Sequence, residues 1–212
     1  ALAAMQDPQS TSYSLDAAHA YLRLALALPA LPVALQAVSI NNLAIFYSRT
    51  AQPHKALRCL QRVSRYRPLG GGGAGADDDD DVEVHVALNL TTVLADLGRH
   101  PEALEMAQEA VAVLERRAAP DAGLMSAAYY NLAVQQERLG SKSGFRSSYR
   151  AALSQARRSG AAGGDNSQMA EFINATFHGA SRPARSASAA GGRAPRMQPG
   201  AINLEQAFAG KA

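Results

Sequence analysis

The side chains that catalysis would require do not occur at suitable spacings in this sequence. Cys59 is the only cysteine, and the nearest histidine before it, His54, lies five positions earlier. Residues five apart on a helix do not face each other, which is poor geometry for a nucleophile and its base. The five histidines show no metal-ligand spacing. Glycines 70–73 lack the Lys and Ser/Thr that follow in a phosphate-binding loop. The sequence therefore predicts no enzyme activity, no metal and no cofactor.

Three asparagines at corresponding places are the best candidates for binding. Asn42, Asn89 and Asn131 each stand directly before a leucine, in the runs Asn-Leu-Ala, Asn-Leu-Thr and Asn-Leu-Ala. A carboxamide has donors and an acceptor, so it can hold a peptide backbone through two hydrogen bonds. Alternatively, these side chains cap local backbone groups or tie neighbouring helices together.

The asparagines belong to an internal repeat. The leucine that follows each asparagine stands 13 positions before an equivalent residue in the next predicted helix. The pairs are Leu43 and Ala56, Leu90 and Ala103, and Leu132 and Phe145. The intervals between successive copies are unequal, so the variation lies in connecting loops. Such a pattern is typical of stacked structural units of fixed design.

Each repeat is predicted to form two amphipathic helices joined by a tight turn. In the second repeat, Val84 to Leu97 has helical apolar spacing, Gly98 ends that helix and Pro101 starts the next. Gly140 has the same place in the third repeat. Hydrophobic residues make up 47% of the chain, and Ala and Leu favour helices. The predicted fold class is all-α.

The remaining segments are assigned from composition and spacing. Leu15 to Leu28 is predicted to be the second helix of an earlier hairpin. The helical repeat domain is predicted to span 15–177, with repeats near 37–68, 84–117 and 126–159 and a capping helix at 166–177. Residues 1–14 are expected to be disordered or a partial unit, 69–81 a disordered Gly/Asp insertion, and 178–212 a low-complexity basic tail.

These repeats resemble the tetratricopeptide repeat family from about residue 37 to 159. Small residues stand where paired helices would cross: Ala44, Ala56, Ala103, Ala110, Ala133 and Ala152. The spacing of about 42 and the Asn-Leu-Ala run look most like kinesin light chain repeats. The sequence departs from the family pattern at Ala51, where Gly is usual, and at Gln136 and Phe145. The resemblance implies a right-handed α-solenoid whose first helices line a concave peptide-binding groove.

The resemblance places the three asparagines in that groove, together with residues one helical turn away. The further predicted groove residues are Ile45, Arg49, His85, Thr92, Tyr130, Val134 and Arg138. The second helices carry basic outer stripes, formed by Arg58, Arg62 and Arg65 and by Lys142, Arg146 and Arg150. These stripes are either contacts for an acidic partner or solvated helix faces.

The favoured function is a protein–protein interaction scaffold that binds an extended or helical partner segment. The alternative is a structural subunit of a large assembly, such as an axonemal or cytoskeletal one, and RNA binding is the third option. RNA binding is the least favoured of the three, because it needs one basic groove rather than scattered outer stripes, and we expect neither a small-molecule substrate nor a membrane as the partner. The expected location is the cytoplasm, with the cytoskeleton or cilium as narrower options, since a single cysteine favours a reducing compartment.

Overall fold

The computed structural model describes residues 15–28, 31–66, 82–161, 170–171 and 173. In these ranges the chain forms seven helices and no strand. The helices are α1 (Leu15–Leu26), α2 (Val33–Arg49), α3 (Pro53–Tyr66), α4 (Val82–Asp96), α5 (His100–Glu115), α6 (Ala122–Arg138) and α7 (Lys142–Ala161). The predicted all-α fold is confirmed. The predictions for 1–14, 69–81, 178–212 and most of 166–177 concern residues outside the described part.

The helices belong to two compact units. The first contains α1 to α4, and the second contains α5 to α7. Within the first unit, α2 packs against α1, α3 and α4, and α3 also packs against α4. Within the second unit, α6 packs against both α5 and α7. Each unit is thus organised around a first helix of the repeat, α2 or α6, that is covered on more than one side.

In both cores, alanines occupy the positions at which paired helices cross. The six alanines predicted at helix crossings are each no more than 1% exposed. The distance between two packed helices depends on the side chains at their contact, and a methyl group permits a close approach. Leucine and valine fill the spaces beside them, for example Leu60 and Val63 on α3 and Leu114 on α5, all fully buried.

An aromatic cluster occupies the end of the second unit. The ring of Tyr149 makes T-shaped contacts with the rings of Tyr130 and Phe145 at centroid distances of 5.9 and 5.8 Å. Ile173 is buried against the same cluster, and residues 170, 171 and 173 are helical. A residue from the predicted capping helix therefore covers the apolar surface that α6 and α7 leave.

The first helix of each repeat ends in a residue with left-handed backbone conformation. The φ angles are 57° at Ala51, 75° at Gly98 and 78° at Gly140. After α2, the amide of Gln52 donates to the Tyr47 carbonyl and that of Ala51 to the Ser48 carbonyl. Gly140 and Ser141 repeat both bonds after α6. This is the Schellman arrangement, which satisfies helix-end carbonyls and favours glycine at the left-handed position.

Replacing Ala51 by glycine should stabilise the protein. A non-glycine residue in the left-handed region costs about 1–2 kcal/mol, and the greater entropy of unfolded glycine offsets part of the gain. We expect Ala51→Gly to raise the free energy of unfolding by about 0.5–1 kcal/mol, measured by urea denaturation.

Gly140→Ala is the matched control, and it should have the opposite sign. A Cβ at Gly140 would meet no atom within 4 Å, so its cost would come from the backbone alone. Equal destabilisation by both substitutions would contradict the assignment of strain to Ala51.

Candidate protein-binding site

Three of the predicted groove residues form a row along one face of α2. Asn42, Ile45 and Arg49 follow each other at intervals of three and four positions, which places them on the same side of the helix. All three are partly exposed. At 1.5 Å per residue the row is about 10 Å long. It offers a carboxamide, an aliphatic group and a guanidinium, called the α2 row below.

The second asparagine of the predicted ladder is bonded inside the first unit. Asn89 Nδ2 on α4 donates to Asn41 Oδ1 on α2 at 2.8 Å, and both side chains are buried. Asn89 therefore makes a contact between neighbouring helices, the alternative role given above. Asn41 is not among the residues predicted to form the groove. Its signal is the Asn-Asn pair at 41–42, because adjacent helix positions differ by about 100° and the two side chains therefore point to different surroundings.

The other groove candidates on α4 differ in exposure. His85 is buried, whereas Thr92 is partly exposed and donates its hydroxyl to the Leu88 carbonyl at 3.2 Å. The cause is the position of α4, which packs against both α2 and α3 and buries most of its length from Val82 to Leu94. From Val82 to Leu94, Glu83 and Thr92 are the residues that keep partial exposure, so this part of α4 has little surface left for a ligand.

In the second unit, the structure places Tyr130 in the core rather than on an open surface. Its ring packs against Tyr149, because α7 covers this side of α6. Asn131 is buried as well. Val134 is partly exposed and Arg138 is exposed. These two residues follow Asn131 at the same intervals at which Ile45 and Arg49 follow Asn42.

Polar side chains of the second unit connect its helices. Ser126 Oγ donates to the Ala152 carbonyl at 2.9 Å, and Ser148 Oγ donates to Gln136 Oε1 at 2.8 Å, both between α6 and α7. His100 Nδ1 lies 3.0 Å from Gln135 Oε1, which joins α5 to α6. Gln136, which departs from the family pattern, thus accepts a hydrogen bond between α6 and α7.

Tyr129 and Glu115 form a further link between α6 and α5. The Tyr129 hydroxyl donates to Glu115 Oε1. Burial of the phenol raises the pKa of Tyr129 to about 12, and the hydrogen bond and negative charge of Glu115 add to this rise. The neutral phenol is therefore the form that the folded state favours, because ionisation would lose the bond and place two negative charges together.

The predicted basic outer stripes lie on the surface. Arg58, Arg62 and Arg65 on α3 are exposed, and so are Lys142, Arg146 and Arg150 on α7. The helix α5 carries Glu102, Glu105 and Glu109 in exposed positions instead. Glu102 binds Arg99, a pair that is open to solvent. Such exposed charges keep the outer helices hydrated. Binding of an acidic partner to the basic outer stripes stays a prediction.

The described residues provide no group of three or more His, Cys, Asp or Glu side chains that could hold a metal ion. Among the described helices, none has the length and apolar content needed to cross a bilayer. Burial raises the pKa of the Cys59 thiol, although Arg62 and Arg58 act against this rise. A thiol with a raised pKa is less often the reactive thiolate.

The fold is an α-helical repeat of tetratricopeptide type, as the resemblance in the sequence implied. The sequence profile of the tetratricopeptide repeat matches residues 85–121, which include most of α4 and all of α5. The chain is also similar to the crystal structure of BtubC (BKLC) from P. vanneervenii. The TM-score is 0.55 at 18% identity, over 84% of this chain and 81% of that one. At this identity the likeness describes the fold alone. No curated protein matches the chain significantly in sequence.

The bond between Asn41 and Asn89 can be tested with a double-mutant cycle. Removing one partner leaves a buried polar group unsatisfied, so Asn89→Ala or Asn41→Ala alone should cost about 1–3 kcal/mol of unfolding free energy. The double variant should cost less than the sum of the two by about 0.5–2 kcal/mol. Urea denaturation of the four proteins measures this coupling.

Asn42→Ala provides the neighbouring control. Asn42 is partly exposed, so its removal should change the free energy of unfolding by less than about 0.5 kcal/mol. Additive costs of Asn41→Ala and Asn89→Ala would show that the two side chains do not interact.

Tyr129 should make the stability of the protein depend on pH in the alkaline range. Its folded pKa of about 12 exceeds the ordinary value of 10.0, so its contribution is complete below pH 10 and is lost as the pH rises towards 12. Burial also raises the pKa of Tyr149, so wild type must be compared with Tyr129→Phe. The loss of unfolding free energy between these pH values should be smaller in Tyr129→Phe, and an equal loss would refute this role of Tyr129.

Proposed function

We propose that this protein is a protein-interaction scaffold that holds an extended or helical partner segment against the α2 row. The observation that carries this proposal is the row itself, in which Asn42, Ile45 and Arg49 share one partly exposed face of a first helix. The fold adds support, because tetratricopeptide repeats are generally protein-interaction modules and typically lack catalytic activity.

Each residue of the α2 row suits a different part of a peptide. The Asn42 carboxamide has the donors and acceptor to bond a peptide group on both sides. Ile45 offers apolar contact. Arg49 can bind a carboxylate through two parallel hydrogen bonds, which are stronger than neutral ones. The partner segment therefore combines an apolar residue with an acidic one, separated by a distance comparable to the length of the row.

The second unit repeats part of this chemistry. Val134 and Arg138 on α6 correspond in sequence position to Ile45 and Arg49 on α2, and both have some exposure. In this unit Asn131 is buried. We therefore assign peptide-backbone recognition to Asn42 in the first unit, while Val134 and Arg138 offer an apolar and a charged contact of the second unit by itself. Thr92 on α4 is a further partly exposed candidate.

We propose the cytoplasm as the location, because the single cysteine favours a reducing compartment. Incorporation as a permanent subunit of a cytoskeletal or ciliary assembly is the alternative proposal. The two differ in stoichiometry, since a permanent subunit is recovered in a fixed ratio with its neighbours. A peptide-binding scaffold instead exchanges partners that share a short motif.

A displayed library of random peptides tests the proposal directly. The immobilised wild-type protein should enrich peptides that pair an apolar residue with Asp or Glu. For such a peptide, Asn42→Ala and Arg49→Glu should each weaken binding by roughly tenfold or more, as expected for lost hydrogen bonds to a backbone or a charge. Isothermal titration calorimetry gives the affinities.

Arg65→Glu is the matched control for Arg49→Glu. It makes the same charge change on the exposed side of α3 and should leave the affinity within about twofold, because distant exposed charges are screened by salt. Failure to enrich any motif would reject the proposal, and so would equal loss of affinity in Arg49→Glu and Arg65→Glu.

A further inference from the structure

The α2 row belongs to a longer line of side chains on α2. Leu35 and Val38 continue the row towards the start of the helix, so five positions follow each other at alternating intervals of three and four. Leu35 is 51% exposed, and Val38 is partly exposed. Such intervals keep side chains on one face along the whole helix. The α2 stripe, as we call this face, consists of the following residues: Leu35, Val38, Asn42, Ile45 and Arg49.

The corresponding stripe of α4 is buried at its first three positions. In the alignment that pairs Asn42 with Asn89, the three α4 residues are Val82, His85 and Asn89. All three are at most 8% exposed. The last two positions of the α4 stripe keep partial exposure. Equivalent residues of two successive repeats therefore differ in burial over the first half of the stripe.

The neighbours of the two helices explain this difference. The helix α1 packs against α2 as α3 packs against α4, so each of these first helices has the preceding second helix beside it. In addition, α4 has α2 as a neighbour, and Asn41 of α2 bonds Asn89. In the described part of the chain, no helix takes the equivalent place before α2. The open part of the α2 stripe is thus shaped to receive a helix.

The spacing of the stripe also favours a helix over an extended segment. Its five members span 14 positions, about 21 Å at 1.5 Å per residue, or about 5 Å per interval. A facing helix with the same pattern has the same spacing. Residues on one side of an extended strand are about 6.7 Å apart. Over four intervals a strand would be out of step by about 6 Å, more than one whole interval.

We propose that the partner segment is an amphipathic helix that packs on the α2 stripe as α2 packs on α4, with a side-chain carboxamide bonded to Asn42. This inference rests on the proposed function. The backbone groups of a helix are bonded internally, so an Asn or Gln of the partner has to supply the amide group. That amide has the same donors and acceptor chemistry as a peptide group. The bond between Asn41 and Asn89 is the corresponding contact within the protein.

The other members of the α2 stripe define the rest of the partner helix. Leu35 and Val38 call for apolar residues on both sides of the register that the amide pair fixes. Arg49 lies at the edge of the contact, because its equivalent on α4 keeps partial exposure beside α2. A long acidic side chain can reach it there. Since Arg49 follows Asn42 by seven positions, the Asp or Glu of the partner should stand about seven positions from its carboxamide.

The segment before α1 does not have the sequence of such a helix. Pro8 stands in the middle of residues 1–14, and a proline inside a helix removes a hydrogen bond and clashes with the preceding turn. A helix that faces the whole α2 stripe needs about as many residues as the stripe spans. We therefore assign the helix to another protein.

Two matched peptide libraries test the proposal with the full chain as bait. Both display peptides of about 18 residues with five randomised positions at intervals of three and four. The first has alanine and lysine at the other positions and forms helices, whereas the second has prolines there, which prevent a helix. The protein should enrich helical peptides with a central Asn or Gln, an Asp or Glu about seven positions away, and apolar residues elsewhere. Proline-containing versions of these peptides should bind about tenfold more weakly or worse.

Leu35→Glu distinguishes this proposal from the proposed function, because Leu35 lies outside the α2 row. It should weaken binding of an enriched helical peptide by about tenfold or more in isothermal titration calorimetry. The matched control is Leu139→Glu, which changes another exposed leucine in the other unit and should leave the affinity within about twofold. Leu35 is about half exposed, so Leu35→Glu should leave helix content and the thermal midpoint unchanged.

A double-mutant cycle tests the amide pair. Replacing the carboxamide of the peptide by alanine, or Asn42→Ala in the protein, should each weaken binding by about tenfold. Once one partner is removed, removing the other should have less than about a twofold further effect, because the two groups then no longer bond. Independent, multiplying losses would refute the pairing.

Further results would overturn the proposal. Enrichment of proline-containing peptides, or a helical peptide that Leu35→Glu does not weaken although Arg49→Glu does, would assign an extended segment to the α2 row and leave the proposed function standing. Enrichment from neither library would reject both. A lower thermal midpoint of Leu35→Glu would show that the chain itself covers the stripe. Self-association in sedimentation velocity that Leu35→Glu abolishes would make a second copy the occupant.

Discussion

Close contact between helices at alanine positions is the constraint on which the rest of this structure depends. Ala44 and Ala56 in the first unit, and Ala133 and Ala152 in the second, are almost completely buried. A larger side chain at such a crossing would move the helices apart, and overpacking of this kind typically costs about 1–3 kcal/mol. The separation of the helices, and with it the burial of every neighbouring side chain, follows from these methyl groups.

Helices this close together bury polar as well as apolar residues, and buried polar groups need partners. The carboxamides of Asn41 and Asn89 bond each other, and the hydroxyl of Ser126 bonds a carbonyl of α7. These groups therefore stabilise the packing of the helices. A protein partner would have to contact side chains that the packing leaves at least partly exposed, and on the described first helices these include the α2 row, Val134 and Arg138.

The outer helices show how one repeat design can present different surfaces. The equivalent outer positions are apolar on α1, basic on α3 and acidic on α5. In a repeat protein each unit contacts mainly its neighbours, so outward residues can change without disturbing the core. The departures from the family pattern are accommodated in the same local way. Phe145 joins Tyr149 in an aromatic cluster, and Gln136 bonds Ser148.

Local features of this protein were determined by the sequence alone. The repeat spacing, the alanines at helix crossings and the helix ends at Gly98 and Gly140 depend on residues that lie near each other in the chain. The tertiary structure decided which of two adjacent asparagines enters the core, because this depends on the rotation of α2 against α4. Asn41 finds its partner 48 positions away. The tertiary structure also decided that Tyr130 packs in the core, since α7 covers that side of α6. Periodicity within one helix cannot specify which neighbouring helices cover its faces.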